Sequence, residues 1–221
     1  VVYDETSREI NFDGDKYTEN TRGAYPIHYV TNRVNDGYAG HPENIFFLTA
    51  DASGVLPPIA KLAAEQVPAY FLSGYTSKLA GTEKGLGSEP EATFSACFGA
   101  PFLPLHPSTY ADLLLQKINQ HKVNVWLVNT GWTGGPYGIG ARFKLPYTRA
   151  IIHAALRNEL NEAPFAIEPH FGLHIPESCP GVPAEVLNPQ LTWQDPEAYA
   201  QQAQKLKGLL DENFNKFSQK T

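Results

Sequence analysis

The chain has 221 residues, 42% of them hydrophobic and 18% charged, with a formal net charge of −6. That length supports one substantial core, so one globular domain over residues 1–221 is expected; an acidic balance gives no general attraction for polyanions, and any phosphate binding must come from a local pocket. Nucleic acid is therefore not an expected partner, and no apolar run approaches the roughly 20 residues of a bilayer span.

No charged-then-apolar leader opens the sequence. The first residue is Val1 and no Met occurs anywhere, so the start reads as a boundary set by truncation or processing. Cys97 and Cys179 lie far apart, outside any CxxC or Cys/His spacing, which fits a reduced, intracellular protein.

In chain order, residues 1–20 alternate apolar and polar around Asp13-Gly14-Asp15, predicting a hairpin with its turn there and Arg22 just past its second arm. The apolar run Ile45-Phe46-Phe47-Leu48 predicts a strand over 44–49 buried on both faces. After Pro57-Pro58, residues 59–66 read as helix, and a short strand is expected at 69–72. Residues 73–99, rich in Gly, Ser, Thr and Glu, read as a long ordered loop. A helix capped by Ser108 or Thr109 runs to His121, with Leu113, Leu114 and Ile118 near helical spacing. A strand follows at 123–128. A glycine-rich loop, Gly131 to Gly140, leads to Arg142, and a helix spans about Thr148 to Leu160 with Ile151, Ile152, Ala155 and Leu156 on one face. Residues 161–189 are punctuated by proline and irregular. A last helix starts at Asp195-Pro196 and carries Leu206, Leu210, Phe214 and Phe217. Strands alternating with helices argue for an α/β arrangement, with mixed α+β as the variant, built on a mixed sheet with flanking helices.

The sharpest local feature is Gly131-Trp132-Thr133-Gly134-Gly135-Pro136-Tyr137-Gly138-Ile139-Gly140-Ala141-Arg142, directly after a strand. Its glycines would let backbone approach a ligand closely, and Arg142 could stack on a base or reach an anion. It is not a dinucleotide fingerprint, because the following helix begins well after the last glycine. A tight structural connection is the commoner use of such a loop. Arg22, before Tyr25-Pro26, sits where an extended segment turns and a guanidinium can grip phosphate bidentately, although a surface ion pair is the commoner role. His170 and His174 lie four apart, but Pro169, Gly172 and Pro176 disfavour the helix that would align them on a metal. Asp51 at a strand end is a weak metal candidate and a common turn cap. Lys78 and Lys84 flank Gly81-Thr82-Glu83 without any Walker-type spacing and read as a solvated loop.

Several blocks resemble, in the same order, those of ATP-dependent phosphoenolpyruvate carboxykinases: Glu19-Asn20-Thr21-Arg22 with Tyr25-Pro26-Ile27, Phe47 to Ala52 with Gly54 to Pro58, Phe71 to Thr76, Lys78 to Glu83, Phe94 to Gly99, Val128 to Trp132, and Arg142 with Thr148 to Ile152. The resemblance covers residues 19 to about 160. It implies the distal part of the family's nucleotide-binding domain, with the fold given above. It also implies that Arg22 is the catalytic arginine near the transferring phosphate, and that Arg142, Phe143 and Thr148 line the adenine and ribose of ATP, Phe143 largely through its backbone. The parent reaction turns oxaloacetate and ATP into phosphoenolpyruvate, ADP and CO2, in gluconeogenesis, with Mg²⁺ and Mn²⁺. The family's phosphate loop, its metal-holding acidic residue, Lys and His, and its oxaloacetate-binding arginine all precede the matching region. This chain is thus expected to hold no metal ligand, to need the N-terminal half of the enzyme as its partner, and to be inactive by itself. A non-catalytic nucleotide-binding or structural module of the same fold is the alternative. The C-terminal Ser218-Gln219-Lys220-Thr221 carries no peroxisomal address, which leaves the cytoplasm as the expected location.

Overall fold

The computed structural model describes residues 1–11, 14, 16–17, 23–78 and 89–218. Arg22 and the Glu19-Asn20-Thr21 before it, together with Gly81, Lys84, Gly85 and Gly87, lie outside the described residues. The chain divides into two compact units, Val1–His41 with Lys78–Glu91, and Pro42–Ser77 with Ala92–Thr221.

In the first unit, β1 (Val2–Tyr3) pairs antiparallel with β2 (Ile10–Asn11). The connection runs through residues 4–9; Asp13 and Asp15 of the expected turn, and residues 18–20 of the arm beyond it, lie outside the described residues. Asp4 closes this connection: its Oδ1 accepts from the backbone N–H groups of Thr6 and Ser7 at 2.9 and 2.6 Å, an Asx-type turn.

The second unit is built on a five-stranded mixed sheet. β3 (Asn44–Thr49) is as predicted, but β4 (Ile59–Lys61) replaces the expected helix at 59–66, and α1 (Val67–Ser73) replaces the expected strand at 69–72. Ile59 and Ala60 are fully buried against a neighbouring strand, and tertiary pairing overrides the helix-compatible composition. Pro68 supplies the first-turn signal one element later, and Gly74 in the left-handed region ends the helix. Within the stretch read as a loop, β5 (Tyr75–Lys78) pairs with β6 (Glu91–Phe94). α2 (Pro107–His121) is capped by the His106 side chain, which accepts from the Ser108 N–H, rather than by Ser108 or Thr109 themselves. Its buried face is Ala111 and Ile118, with Leu114 packed alongside, and Leu113 faces out.

β7 (Asn124–Asn129) follows, then the short strands β8 (Trp132–Thr133) and β9 (Ala141–Arg142), and α3 (Leu145–Leu156), which starts three residues earlier than expected, on Pro146. The proline-rich stretch contains β10 (Phe165–Ile167), β11 (His174–Pro176), α4 (Ala184–Leu187) and α5 (Pro189–Thr192). The long helix α6 (Pro196–Ser218) closes the chain as predicted. The sheet order is β10-β11-β4-β7-β3, with β3 parallel to β7 and the other pairs antiparallel. The mixed α/β class read from the sequence is the one observed.

Alternation along β7 organises the core, because successive side chains leave a strand on opposite faces. Val125 and Leu127 point into a cluster with Phe47, Ile118, Leu206 and Leu210, so α2 and α6 cover that face. Trp126 and Val128 point into a second cluster with Ile59, Ile151, Ala154 and Ala155, covered by α3. Each such buried side chain contributes on the order of 2 kcal/mol. The buried stripe of α6 is Tyr199, Ala203, Leu206 and Leu210, at i, i+4, i+7 and i+11. β3 is not buried on both faces: Leu48 shares a register position with fully buried Val128 yet is 59% exposed. Among the described strands β3 is the sheet edge, beyond the residues of β4 and β7 that α3 covers. Among the described residues no helix is long and apolar enough to cross a membrane.

Candidate functional site

Parallel strands β3 and β7 end side by side at Thr49 and Asn129. The chain segments leaving their carboxyl ends form the region where open α/β sheets hold ligands. Asp51 is the centre of the first segment. It is fully buried, and its carboxylate accepts from the Ser53 N–H (2.9 Å) and hydroxyl (2.5 Å), the Val55 N–H (2.9 Å), the Leu56 N–H (3.0 Å) and the Tyr75 hydroxyl (2.8 Å). These donors satisfy its lone pairs and fold residues 51–56 into a fixed turn. Burial, reinforced by the Asp51 charge, holds the Tyr75 hydroxyl far above its ordinary range, so that phenol stays a donor.

This turn templates the glycine-rich loop. The Asn129 side chain ties the two segments, its Oδ1 accepting from the N–H groups of Asp51 (2.9 Å) and Gly131 (2.8 Å) while its Nδ2 donates to the Leu56 carbonyl (2.9 Å). The Trp132 N–H donates to the Asp51 carbonyl and the Tyr137 N–H to the Ala52 carbonyl, both at 2.8 Å. Two glycines permit the approach. A Cβ on Gly131 would lie 2.2 Å from the Asp51 carbonyl oxygen, and one on Gly54, whose φ is +76°, would lie 2.0 Å from the Gly135 carbonyl oxygen. From α5, the Thr192 hydroxyl meets Thr133 Oγ1 at 2.8 Å and accepts from the Gly134 N–H at 3.0 Å, and the Trp193 indole donates to the Gly54 carbonyl at 2.8 Å.

The loop is a hairpin in which Trp132 pairs across the ladder with Arg142. Arg142 is exposed; its Nε donates to the Thr130 carbonyl at 3.1 Å and its guanidinium carbon lies 5.3 Å from the centroid of the Trp132 ring. No carboxylate pairs with it among the described residues. Phe143 is buried, 8% exposed, and its N–H donates to the Gly131 carbonyl at 2.9 Å, which extends the hairpin ladder by one residue. Thr148 is half-buried in the first turn of α3. Three of the four expected residues thus lie on one continuous stretch, from β9 into α3. The helix does begin after the last glycine, at Leu145, so the loop does not open a helix as a dinucleotide fingerprint would.

The remaining candidates resolve structurally. Asp51 is a turn hub with its oxygens occupied by five donors, and no cluster of three His, Cys, Asp or Glu residues able to hold a cation occurs among the described residues. These side chains do not fit a divalent cation. His170 lies in the β10–β11 turn and His174 on β11, and the turn is held by buried Glu168, which accepts from the His170 and Phe171 N–H groups at 3.0 and 2.6 Å. Both cysteines are unpaired, and burial pushes each thiol up to about 11. Two contributors escaped the sequence reading: Asn129 as the tie between strand ends, and Trp132 as the partner of Arg142. Neither leaves a local signal: the seven residues 134–140 between Trp132-Thr133 and Ala141-Arg142 exceed the two- to five-residue loops from which a hairpin register is read.

Comparison with known proteins is consistent along the whole chain. A family model described as phosphoenolpyruvate carboxykinase matches residues 1–185. The "Phosphoenolpyruvate carboxykinase (ATP) 2" of Moorella thermoacetica is 60% identical over 217 residues, 98% of this chain and 41% of the relative. The ATP enzyme of Caldanaerobacter subterraneus is 58% identical over 219 residues, 99% of this chain and 42% of the relative, and that of Bacillus subtilis is 56% identical over 218, 99% and 41%. The chain spans about two fifths of the length of these curated relatives. With the family matched over most of its residues and identity near 60% from end to end, the chain belongs to the ATP-dependent phosphoenolpyruvate carboxykinase family.

Proposed function

We propose that this chain forms the C-terminal, adenosine-side portion of the nucleotide-binding domain of an enzyme that converts oxaloacetate and ATP to phosphoenolpyruvate, ADP and CO2, a cytoplasmic step of gluconeogenesis. The observation that carries the reading is the Arg142 guanidinium, exposed and without a carboxylate partner among the described residues, held over an aromatic ring on a hairpin braced at the carboxyl end of the sheet. An exposed cation kept in one orientation is what binding a planar base or an anionic ligand requires, and positioning is most of what phosphoryl transfer asks of a protein.

In this reading Arg142 packs on the adenosine, the backbone carbonyl of Phe143, whose N–H is already given to Gly131, turns to the base edge, and the Thr148 hydroxyl reaches the base or ribose. Arg22 contacts the phosphate being transferred and compensates its developing charge. Mg²⁺ and Mn²⁺ are held by groups outside this chain, in the N-terminal portion that completes the enzyme, and the 221-residue polypeptide alone does not turn over.

The test is steady-state kinetics of the full-length protein. Arg142→Ala is expected to raise KM for ATP about 10- to 70-fold, the loss of a charge-assisted contact of about 1.5–2.5 kcal/mol, and to leave KM for oxaloacetate unchanged. An unchanged KM for ATP would sink the assignment.

A further inference from the structure

We propose that Trp132 is the positioning residue for Arg142, fixing the guanidinium in the orientation that receives the nucleotide; this rests on the reading of Arg142 given above. Four observations converge. Trp132 and Arg142 are direct cross-strand partners in a two-residue ladder, the closest pairing an antiparallel hairpin offers. The guanidinium lies 5.3 Å from the indole centroid, within cation–π range, and tryptophan is the strongest of the aromatic partners. The indole itself is held: Trp132 is 9% exposed and Tyr137 packs edge-on at 5.5 Å and 78°, while the backbone N–H of Trp132 donates to the Asp51 carbonyl and anchors the residue's main chain. Finally, the Arg142 Nε is taken by the Thr130 carbonyl, which fixes the near end of the guanidinium and leaves the Nη pair as its outer edge.

A free arginine samples many rotamers and must surrender them on binding. Here that cost is met before the ligand arrives, by a ring on one face and a carbonyl at Nε. Trp132 therefore acts through Arg142 without touching ligand. Its contribution belongs to ATP affinity and not to the chemical step. The ladder that joins the two residues is made by backbone, so it survives replacement of the ring.

The experiment is a double-mutant cycle on ATP affinity in the full-length protein, with Kd measured calorimetrically and kcat measured alongside. Trp132→Leu is expected to weaken ATP binding roughly fivefold to tenfold, and Trp132→Phe, which keeps a weaker π face, roughly twofold to threefold, each with kcat within about twofold. In an Arg142→Ala background the same Trp132 substitutions are expected to have no further effect on Kd, because a residue that works only through Arg142 has nothing left to position. Additive losses in the two backgrounds would show that Trp132 acts independently and would overturn the proposal. Should Trp132→Leu melt at a markedly lower temperature, the Trp132→Phe arm carries the same comparison. If Arg142→Ala alone left Kd unchanged, the adenosine reading would fall and this inference with it. If Arg142→Ala weakened binding while Trp132 proved additive, only this inference would fall.

Discussion

Replacing Asp51 with alanine should destabilise the protein by about 4 kcal/mol, read as a lower denaturation midpoint at unchanged slope in urea. Three of the donors that converge on its carboxylate, the Val55 and Leu56 N–H groups and the Tyr75 hydroxyl, are buried, and alanine leaves all of them without an acceptor. Stranding a buried donor costs about 1–3 kcal/mol, which far exceeds the typical surface substitution. Asparagine is no rescue, because its amide would turn a donor toward one of these donors. Tyr75→Phe removes a single partner and should cost only about 1 kcal/mol. If Asp51→Ala and Tyr75→Phe proved equally mild, the turn at 51–56 would not be held by this carboxylate.

The second large effect follows from the role proposed for Arg22 in catalysis. If Arg22 meets the transferring phosphate as proposed, Arg22→Ala in the full-length protein should lower kcat about 10³-fold or more while changing ATP affinity only a few fold, since an arginine so placed acts chiefly in the transition state. Arg22→Lys should recover little. An ammonium supplies charge but not the planar two-pronged donor set that matches phosphate oxygens. Equal losses in kcat and in ATP binding would move Arg22 from catalysis to ground-state binding, and an active Arg22→Ala enzyme would remove it from the site.

Much of the architecture is legible in the sequence where one physical signal dominates. The β3 run and the α6 stripe carry enough apolar periodicity to be located within a residue or two, and the strand–glycine loop–helix succession of residues 124–156 follows from composition alone. The errors fall where tertiary partners decide. Residues 59–61 have a helical composition but are recruited by β7 and β11 into the sheet. Leu48 reads as buried because sequence does not reveal that β3 stands at the edge of the described sheet. The β1–β2 connection at residues 4–9 escapes a reading by alternation because it is closed by Asp4 bonding its own backbone.

The site was legible in a different way. No spacing rule singles out Arg142, Phe143 or Thr148, and only family resemblance picks them from a common kind of glycine-rich loop. What the sequence could not convey is how the loop is held. Asp51 and Asn129 are 78 residues apart, yet a 2.9 Å hydrogen bond joins them and fixes the hairpin against the end of β3. Long-range ties of this kind leave no periodic trace. They also explain the glycines: Gly131 and Gly54 are required by close backbone packing as much as by any ligand.

The central claim, that residues following β7 carry the adenosine end of an ATP site, is tested most directly by photolabelling the full-length protein with 8-azido-ATP and mapping the modified tryptic peptides. The account predicts label on peptides between Val123 and Arg149, protected by excess ATP and diminished in Arg142→Ala. Protected label found only on peptides outside that stretch would contradict it.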